Sequence, residues 1–88
     1  MIDVRKIDDT TFEVTVDDNP PTTHEVSLDP SYLERLTDGR VEPERLISES
    51  FEFLLERESN TEILPRFDLP VINRYFPEYE EEIKSRLL

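Results

Sequence analysis

The chain has no cysteine, and among its 88 residues there is only one glycine and one histidine. Without cysteine it can form neither a disulfide framework nor a thiolate metal site, and it has no thiol nucleophile. His24 alone cannot supply the several imidazoles of a zinc site. A single glycine leaves no Gly-rich loop that could bring backbone amides onto a phosphate. We therefore expect no metal site, no cofactor and no enzymatic activity.

Long apolar runs are also missing from the sequence. No stretch approaches the ~18 residues that a membrane span needs. The N-terminal sequence, MIDVRKIDDT, lacks the apolar segment of a signal peptide. Together with the lack of cysteine, these features lead us to expect a cytoplasmic protein that does not contact membranes.

Negative charge is abundant: 22 acidic residues against 10 basic ones give a formal net charge of −12. This charge repels phosphates, which disfavours nucleic acids and anionic membranes as partners. Solvated, Glu-rich helix faces explain most of the acidity, and a surface that binds a basic protein or mimics nucleic acid is the alternative. Because 35% of the residues are hydrophobic, mostly bulky ones, we expect a folded chain with a single domain over residues 1–88.

Alternating apolar and polar residues predict three strands in the first third of the chain. The clearest strand is Thr11–Asp17, where Phe12, Val14 and Val16 point to one face. Ile2–Ile7 and Thr22–Leu28 alternate less regularly. Short turns rich in Asp and Pro separate the three segments. This pattern predicts a three-stranded antiparallel meander with one buried face.

Helix signals follow the meander, so we predict an α+β fold with a helical C-terminal two-thirds. Asp29 and Pro30 suit the start of a short helix that Gly39 ends. A longer central helix is predicted at residues 43–58. Its apolar and small residues span an arc of about 200°, twice the stripe that packs on one surface; they are Leu46, Ile47, Ser50, Phe51, Phe53, Leu54 and Leu55. We therefore expect this helix to be covered on two sides, by the sheet and by the C-terminal segment.

Few residues have the chemistry of a catalytic or metal site. His24 is a candidate general base, and the alternative is a histidine at the core rim whose ring nitrogens are both hydrogen-bonded. Adjacent aspartates at Asp8-Asp9 and Asp17-Asp18 lack the alternate acidic positions, glycine and distal glutamate of a calcium loop. The sequence predicts no catalytic and no metal-ligating residue.

One cluster fits a partner-binding surface: the stretch Tyr75-Phe76-Pro77-Glu78-Tyr79 places three aromatics around a proline beside acidic residues. Interfaces use such aromatic anchors. The aromatics either fold back over the central helix or form an exposed patch, and a dimer mate is a further candidate for the second cover. The predicted partner surface comprises Phe53, Leu55, Tyr75, Phe76 and Tyr79.

Residues 23–58 read as strand, short helix and longer helix, with the sequences THEVSLDPSYLERL and PERLISESFEFLLERE. This order resembles the ribbon-helix-helix family of dimeric DNA-binding regulators. The resemblance implies a strand that pairs with a dimer mate and presents Thr23, Glu25 and Ser27 to DNA. It also implies a phosphate contact at the N-terminus of the second helix, where this chain carries Glu42 and Glu44. Acidic side chains in both places oppose DNA binding.

The C-terminal half resembles short bacterial proteins of a conserved hypothetical type, a resemblance that implies no activity. The function expected from the sequence is therefore a small, acidic, non-catalytic interaction or accessory protein. Its expected partner is another protein, with a basic surface as the natural match, and a monomer is favoured over a homodimer. The alternative function is a ribbon-helix-helix-like transcriptional regulator or antitoxin component.

Overall fold

A four-stranded sheet forms one layer of the protein, and helices cover one of its faces. The computed structural model describes all of residues 1–88. The strands are β1 (Ile2–Lys6), β2 (Thr11–Val16), β3 (Thr22–Ser27) and β4 (Arg66–Asp68), and the helices are α1 (Pro30–Thr37), α2 (Pro43–Leu55), α3 (Val71–Tyr75) and α4 (Tyr79–Leu87), with a 3₁₀ turn at Asn60–Glu62. The predicted α+β class is confirmed.

The sheet has the order β1-β2-β3-β4, and its first three strands form the predicted antiparallel meander. The fourth strand corrects the prediction, because β4 adds to β3 in parallel and makes the sheet mixed. The Glu25 amide donates to the Pro65 carbonyl (2.8 Å), and the Leu69 amide donates to the Ser27 carbonyl (2.9 Å). Three residues are too few to show an alternating pattern, so this strand depends on tertiary contact.

The outer face of the sheet carries a row of charges, one from each strand. The strand register places Glu13 directly opposite Glu25, a pairing that is unfavourable between like charges. Each glutamate binds an arginine on its outer side: Arg5 Nη2 lies 2.9 Å from Glu13 Oε1, and Arg66 Nε lies 3.2 Å from Glu25 Oε2. These exposed pairs offset the repulsion, and each contributes at most about 1 kcal/mol.

Helix α1 begins and ends as its sequence predicts. The Asp29 side chain accepts hydrogen bonds from the Ser31 amide (2.9 Å) and the Ser31 hydroxyl (2.8 Å), which lower the pKa of Asp29. After the helix, Asp38 and Gly39 adopt left-handed backbone angles, with φ of 55° and 70°. A Cβ at Gly39 would lie 2.8 Å from Glu34 Oε2, so glycine suits this turn.

Helix α2 begins at the predicted Pro43 but ends at Leu55, three residues before the predicted Glu58. The amides of Arg57 and Glu58 both donate to the Leu54 carbonyl at 2.9 Å, which tightens the last turn. Arg57 also bonds the helix end through its side chain, because Nη1 donates to the Phe53 carbonyl (3.0 Å). The Arg57 amide thus bonds three residues back instead of four, as in a 3₁₀ turn, and the Arg57 side chain takes the Phe53 carbonyl that this amide would bond in a continuing α-helix.

The wide apolar arc of α2 is covered on two sides, as predicted. On the sheet side, the Phe51 ring lies 5.4 Å from the His24 ring and 6.1 Å from the Phe67 ring, measured between centroids. On the other side, the Phe53 ring lies 5.3 Å from the Tyr79 ring. A single core of 20 buried hydrophobic residues results.

The C-terminal helices α3 and α4 each begin shortly after a proline, Pro70 and Pro77 respectively. Helix α4 contributes Tyr79, Ile83 and Leu87 to the core, the three residues of its apolar stripe. The longest helix of the protein is α2, with 13 residues, and no helix combines the length and apolarity that crossing a bilayer requires.

Candidate functional site

The two flanks of the C-terminal half of α2 differ in how the protein covers them. We call the first the closed flank; it comprises Phe53, Phe76 and Tyr79 under the guanidinium groups of Arg57 and Arg86. The Arg57 guanidinium carbon lies 3.6 Å from the centroid of the Phe53 ring, and that of Arg86 lies 5.8 Å away. Cations at these distances are attracted to the ring faces and shield them from water.

Carboxylates hold both arginines of the closed flank in place. Arg57 Nε lies 3.3 Å from Glu78 Oε2, and Arg86 Nη2 lies 2.6 Å from Glu56 Oε1. The hydrogen bond from Arg86 is the main reason why the pKa of Glu56 is lowered. The charges of this flank are therefore paired within the chain.

Tyr79 has a hydrogen-bond partner inside the closed flank. Ser50 Oγ donates to the Leu46 carbonyl (2.7 Å), so it accepts from the Tyr79 hydroxyl, which lies 2.6 Å away. Burial raises the pKa of Tyr79, because the ionised phenolate would lose its solvation. This hydrogen bond and the packing around the ring place Tyr79 in the core.

The second flank is an open cleft, which we call the acidic-rim groove. Its volume is about 400 Å³, in the range of ligand-binding clefts. Eight hydrophobic residues and two glutamates line it: Leu54, Ile63, Leu64, Phe67, Val71, Ile72, Tyr75 and Phe76, with Glu58 and Glu62 at the rim. Tyr75 is 66% exposed and Leu64 is 43% exposed, so the groove presents large apolar side chains to solvent.

Local sequence features build the walls of the groove. After α2 ends, Ser59 caps the 3₁₀ turn, and its amide donates to Glu62 Oε1 (2.9 Å). Proline at position 65 precedes β4, whose Phe67 forms the floor together with Leu54. Helix α3 then supplies the opposite wall through Ile72 and Tyr75.

The two rim carboxylates differ from those of the closed flank, because neither forms an ion pair within the chain. Burial beside the apolar wall raises the pKa of Glu58, and the nearby charge of Glu62 raises it further. Hydrogen bonds from the amide and hydroxyl of Ser59 lower the pKa of Glu62. The rim therefore concentrates negative charge beside an apolar surface.

His24 lies behind the groove wall and is only 2% exposed. Its Nδ1 donates to the Leu64 carbonyl (2.9 Å), and its Nε2 accepts from the Thr22 hydroxyl (2.9 Å). The side-chain Nδ2 of Asn60 donates to Thr22 Oγ1 and to the Pro20 carbonyl, both at 2.9 Å. Both ring nitrogens are thus hydrogen-bonded, which confirms the alternative of a hydrogen-bonded histidine. The bond from His24 to the Leu64 carbonyl also connects the groove wall to β3.

A second depression lies near the outer face of the sheet, with a volume of about 430 Å³. Ile7 is its only hydrophobic lining residue, the buried His24 is among the polar ones, and its carboxylates, Glu13 and Glu25, are paired with arginines. The structure contains no group of three or more His, Asp or Glu side chains placed to hold a metal ion. The depression has neither the apolar walls nor the unpaired charge of the acidic-rim groove.

The structure divides the predicted partner surface between the two flanks. Tyr75 is exposed and lines the groove, whereas the half-buried Phe76 belongs to both flanks, because it packs on Phe53 and also lines the groove. Leu55 is half-buried against the core and does not line the groove. Phe53 and Tyr79 are 0% exposed, so they cannot contact a partner as predicted.

Sequence reasoning missed most of the groove lining: Leu54, Glu58, Glu62, Ile63, Leu64, Phe67, Val71 and Ile72. A signal was present in the sequence ILPRFDLPVINRYF at residues 63–76. This stretch is rich in bulky apolar residues, yet Pro65 and Pro70 prevent it from forming one continuous helix that could bury them all.

Comparisons with known proteins assign no family to this chain. No protein-family model matches it, and neither does any curated protein or any solved structure. The resemblance to ribbon-helix-helix proteins therefore stays a prediction from the sequence, and function is argued from the geometry of the chain alone.

Proposed function

We propose that this protein is a small, acidic, non-catalytic accessory protein that binds another protein through the acidic-rim groove. One observation carries the proposal: the groove exposes Tyr75 and Leu64 beside two unpaired carboxylates, Glu58 and Glu62. Exposed large apolar side chains beside a polar rim are the kind of anchors that interaction sites use. Cytoplasmic location is part of the proposal and rests on the composition.

The lining of the groove supports binding rather than catalysis. A catalytic site needs a nucleophile, base or electrophile that converges with others on one point. The groove offers two carboxylates at its rim and otherwise apolar walls. His24, the residue best suited to proton transfer, is buried and uses both ring nitrogens within the chain.

No structural observation favours the regulator alternative. A ribbon-helix-helix dimer would pair β3 with a second copy, but β3 lies between β2 and β4 and is hydrogen-bonded to both. Its outward-facing Glu25 is paired with Arg66. A dimer of that kind would have to displace β4, so the alternative stays a prediction from the sequence.

A monomer is the proposed state of the free protein. The net charge of −12 makes two copies repel each other, and the core of 20 hydrophobic residues is complete within one chain. Light scattering at low and physiological salt measures this directly. A stable dimer at micromolar concentration would contradict the proposed state.

The test of the proposed function compares groove variants with a matched control. The substitutions Leu64→Ser and Tyr75→Ser remove exposed apolar groups from the groove, and Ile7→Ser removes a similarly exposed one, 50% exposed, elsewhere. We expect a partner protein from the native source to be retained by the wild type and by Ile7→Ser, and to be lost with both groove variants. The partner protein must also form a stoichiometric complex with the wild type when both are purified and mixed.

Circular dichroism spectra that match the wild type would show that the variants are folded. Retention of every interacting protein regardless of the groove substitutions would overturn the proposal. So would a complex that re-forms from purified proteins but leaves Leu64 and Tyr75 exposed to solvent.

A further inference from the structure

The chemistry of the groove restricts what its partner can present, and this inference rests on the proposed function. Glu58 and Glu62 are the only charged side chains that line the groove. On the closed flank, by contrast, Glu56 and Glu78 each bind an arginine of the same chain. The groove therefore combines unpaired carboxylates with an apolar surface that no lysine or arginine lines.

A cation placed at this rim would be stabilised by two effects. It would neutralise two neighbouring carboxylates that repel each other, and it would do so beside an apolar wall, where water screens the interaction less. Glu62 is held in position by the Ser59 amide, at 2.9 Å from its Oε1, so one acceptor is already oriented. Electrostatic complementarity of this kind sets which partners a surface admits.

The same charges exclude several other occupants. A fatty acid, an anionic lipid or a nucleic-acid phosphate would bring negative charge to a rim that is already negative. In a two-fold dimer the same patch would serve both copies, so each would place its Glu58 and Glu62 near those of the other. An apolar segment with acidic side chains would meet the same repulsion.

We infer that the acidic-rim groove binds a segment of the partner protein in which apolar side chains alternate with Lys or Arg. The apolar side chains enter between Leu54, Phe67 and Ile72, and a lysine or arginine pairs with Glu58 and Glu62. The groove has a volume of about 400 Å³, which leaves room for more than one large apolar side chain.

Three synthetic peptides of about 15 residues test this chemistry without knowledge of the partner. The first combines leucine with lysine at helical spacing, the second combines leucine with glutamate, and the third replaces the leucines of the first by serine. Each is titrated into the full ¹⁵N-labelled chain at about 0.15 M NaCl, where charges beyond about 8 Å are largely screened. Amide chemical shifts report both the affinity and the position of binding.

We expect only the leucine–lysine peptide to bind with shifts centred on Leu54, Leu64, Phe67 and Tyr75. The double variant Glu58→Gln/Glu62→Gln should weaken its affinity about threefold to tenfold, since two exposed ion pairs are lost. The matched control Glu49→Gln/Glu52→Gln removes the same charge from α2, outside the groove, and should change the affinity less than about twofold. Glutamine at position 62 keeps an oxygen that can accept from the Ser59 amide.

Different outcomes overturn different statements. Equal binding of the leucine–glutamate peptide in the groove would refute the basic partner but leave the groove as a protein-binding site. Equal binding of the serine–lysine peptide would refute the apolar anchors. Shifts spread over the whole acidic surface, or equal effects of the two double variants, would refute a site at Glu58 and Glu62. Groove shifts that grow with protein concentration alone would assign the groove to a second copy.

The proposed function has a separate readout, namely the dependence of partner retention on Leu64 and Tyr75. If a purified partner binds through these residues but has no basic segment in contact with the rim, the inference fails and the proposed function holds. If no partner depends on these residues, the proposed function fails even where the leucine–lysine peptide binds.

Discussion

The closed flank and the acidic-rim groove lie on the same half of α2 and are built from similar side chains. Both contain phenylalanine and tyrosine, although aliphatic residues outnumber them in the groove, and both take residues from the segment that follows the helix. They differ in cations. Arg57 and Arg86 cover the first flank and pair with its carboxylates, whereas no lysine or arginine lines the groove.

The difference indicates how a chain with this acidity controls exposure of its apolar surface. The sequence contains eight arginines against 22 acidic residues, so only some carboxylates can be paired internally. Where an arginine lies over the rings, aromatic surface becomes part of the core. Where none does, the apolar side chains stay accessible, and the unpaired carboxylates become a feature that a partner can recognise.

The largest expected effect contrasts Phe53 with Tyr75, an aromatic from each flank. Phe53 is 0% exposed, so Phe53→Ala should lower the free energy of unfolding by about 3–5 kcal/mol. Tyr75 is 66% exposed, so Tyr75→Ala should change it by less than about 0.5 kcal/mol. Urea unfolding followed by circular dichroism measures both.

Because Phe53→Ala removes a large part of the core, Phe53→Leu serves as the milder test if the alanine variant does not fold at 25 °C. It should still cost about 1 kcal/mol or more, since it removes the ring that lies between Arg57 and Tyr79. Similar stabilities for the Phe53 and Tyr75 variants would show that the two flanks do not differ as described.

The next effect concerns the hydrogen bond inside the closed flank. Ser50→Ala leaves the buried Tyr79 hydroxyl without its partner and should cost about 1–3 kcal/mol. Tyr79→Phe removes the hydroxyl and should cost less, about 0.5–1.5 kcal/mol, because Ser50 still donates to the Leu46 carbonyl. The double variant should be more stable than the sum of the single costs implies. Strict additivity in urea unfolding would contradict a Ser50–Tyr79 bond.

The cation over the closed flank gives a smaller effect. Arg57→Gln removes the guanidinium that lies 3.6 Å from the Phe53 ring centroid and should cost about 0.5–2 kcal/mol. Arg45→Gln is the matched control, because Arg45 is exposed on α2 and forms no ion pair. Thermal unfolding compares the two. Equal losses would mean that Arg57 contributes only its charge and does not close the flank.

Local patterns predict the fold of this chain well where one segment carries the whole signal. The alternation of β2, the Asp29-Pro30 start of α1 and the wide arc of α2 are each visible within about ten residues. Strand β4 has no such signal, because Phe67 is its only apolar residue and its pairing is decided by β3. The sequence also cannot separate Tyr75 from Tyr79, since the turn between them, at Phe76 with φ −132° and ψ 89°, decides which flank each side chain joins.

The smallest effects have opposite signs on the two flanks. Burial is the main reason why the pKa of Glu58 is raised. The charge of Glu58 therefore destabilises the folded protein above the native-state pKa, and this destabilisation disappears as the pH falls toward the ordinary value of 4.5. Glu58→Gln should therefore raise stability slightly at neutral pH, by less than about 0.5 kcal/mol. The gain should vanish near pH 4, where the wild type binds the proton in both states.

The hydrogen bond from Arg86 is the main reason why the pKa of Glu56 is lowered. The ionised Glu56 carboxylate therefore stabilises the folded protein above the ordinary glutamate pKa, and this contribution is lost as the pH falls through the native-state pKa. Glu56→Gln should therefore reduce stability at neutral pH, and its difference from the wild type should shrink in acid. Both substitutions remove one negative charge from an acidic chain, so general repulsion acts equally on them. Urea unfolding from pH 7 to about pH 4 separates the cases, and a gain in stability from both variants would show that repulsion over the whole surface outweighs the pairing that distinguishes the closed flank from the groove.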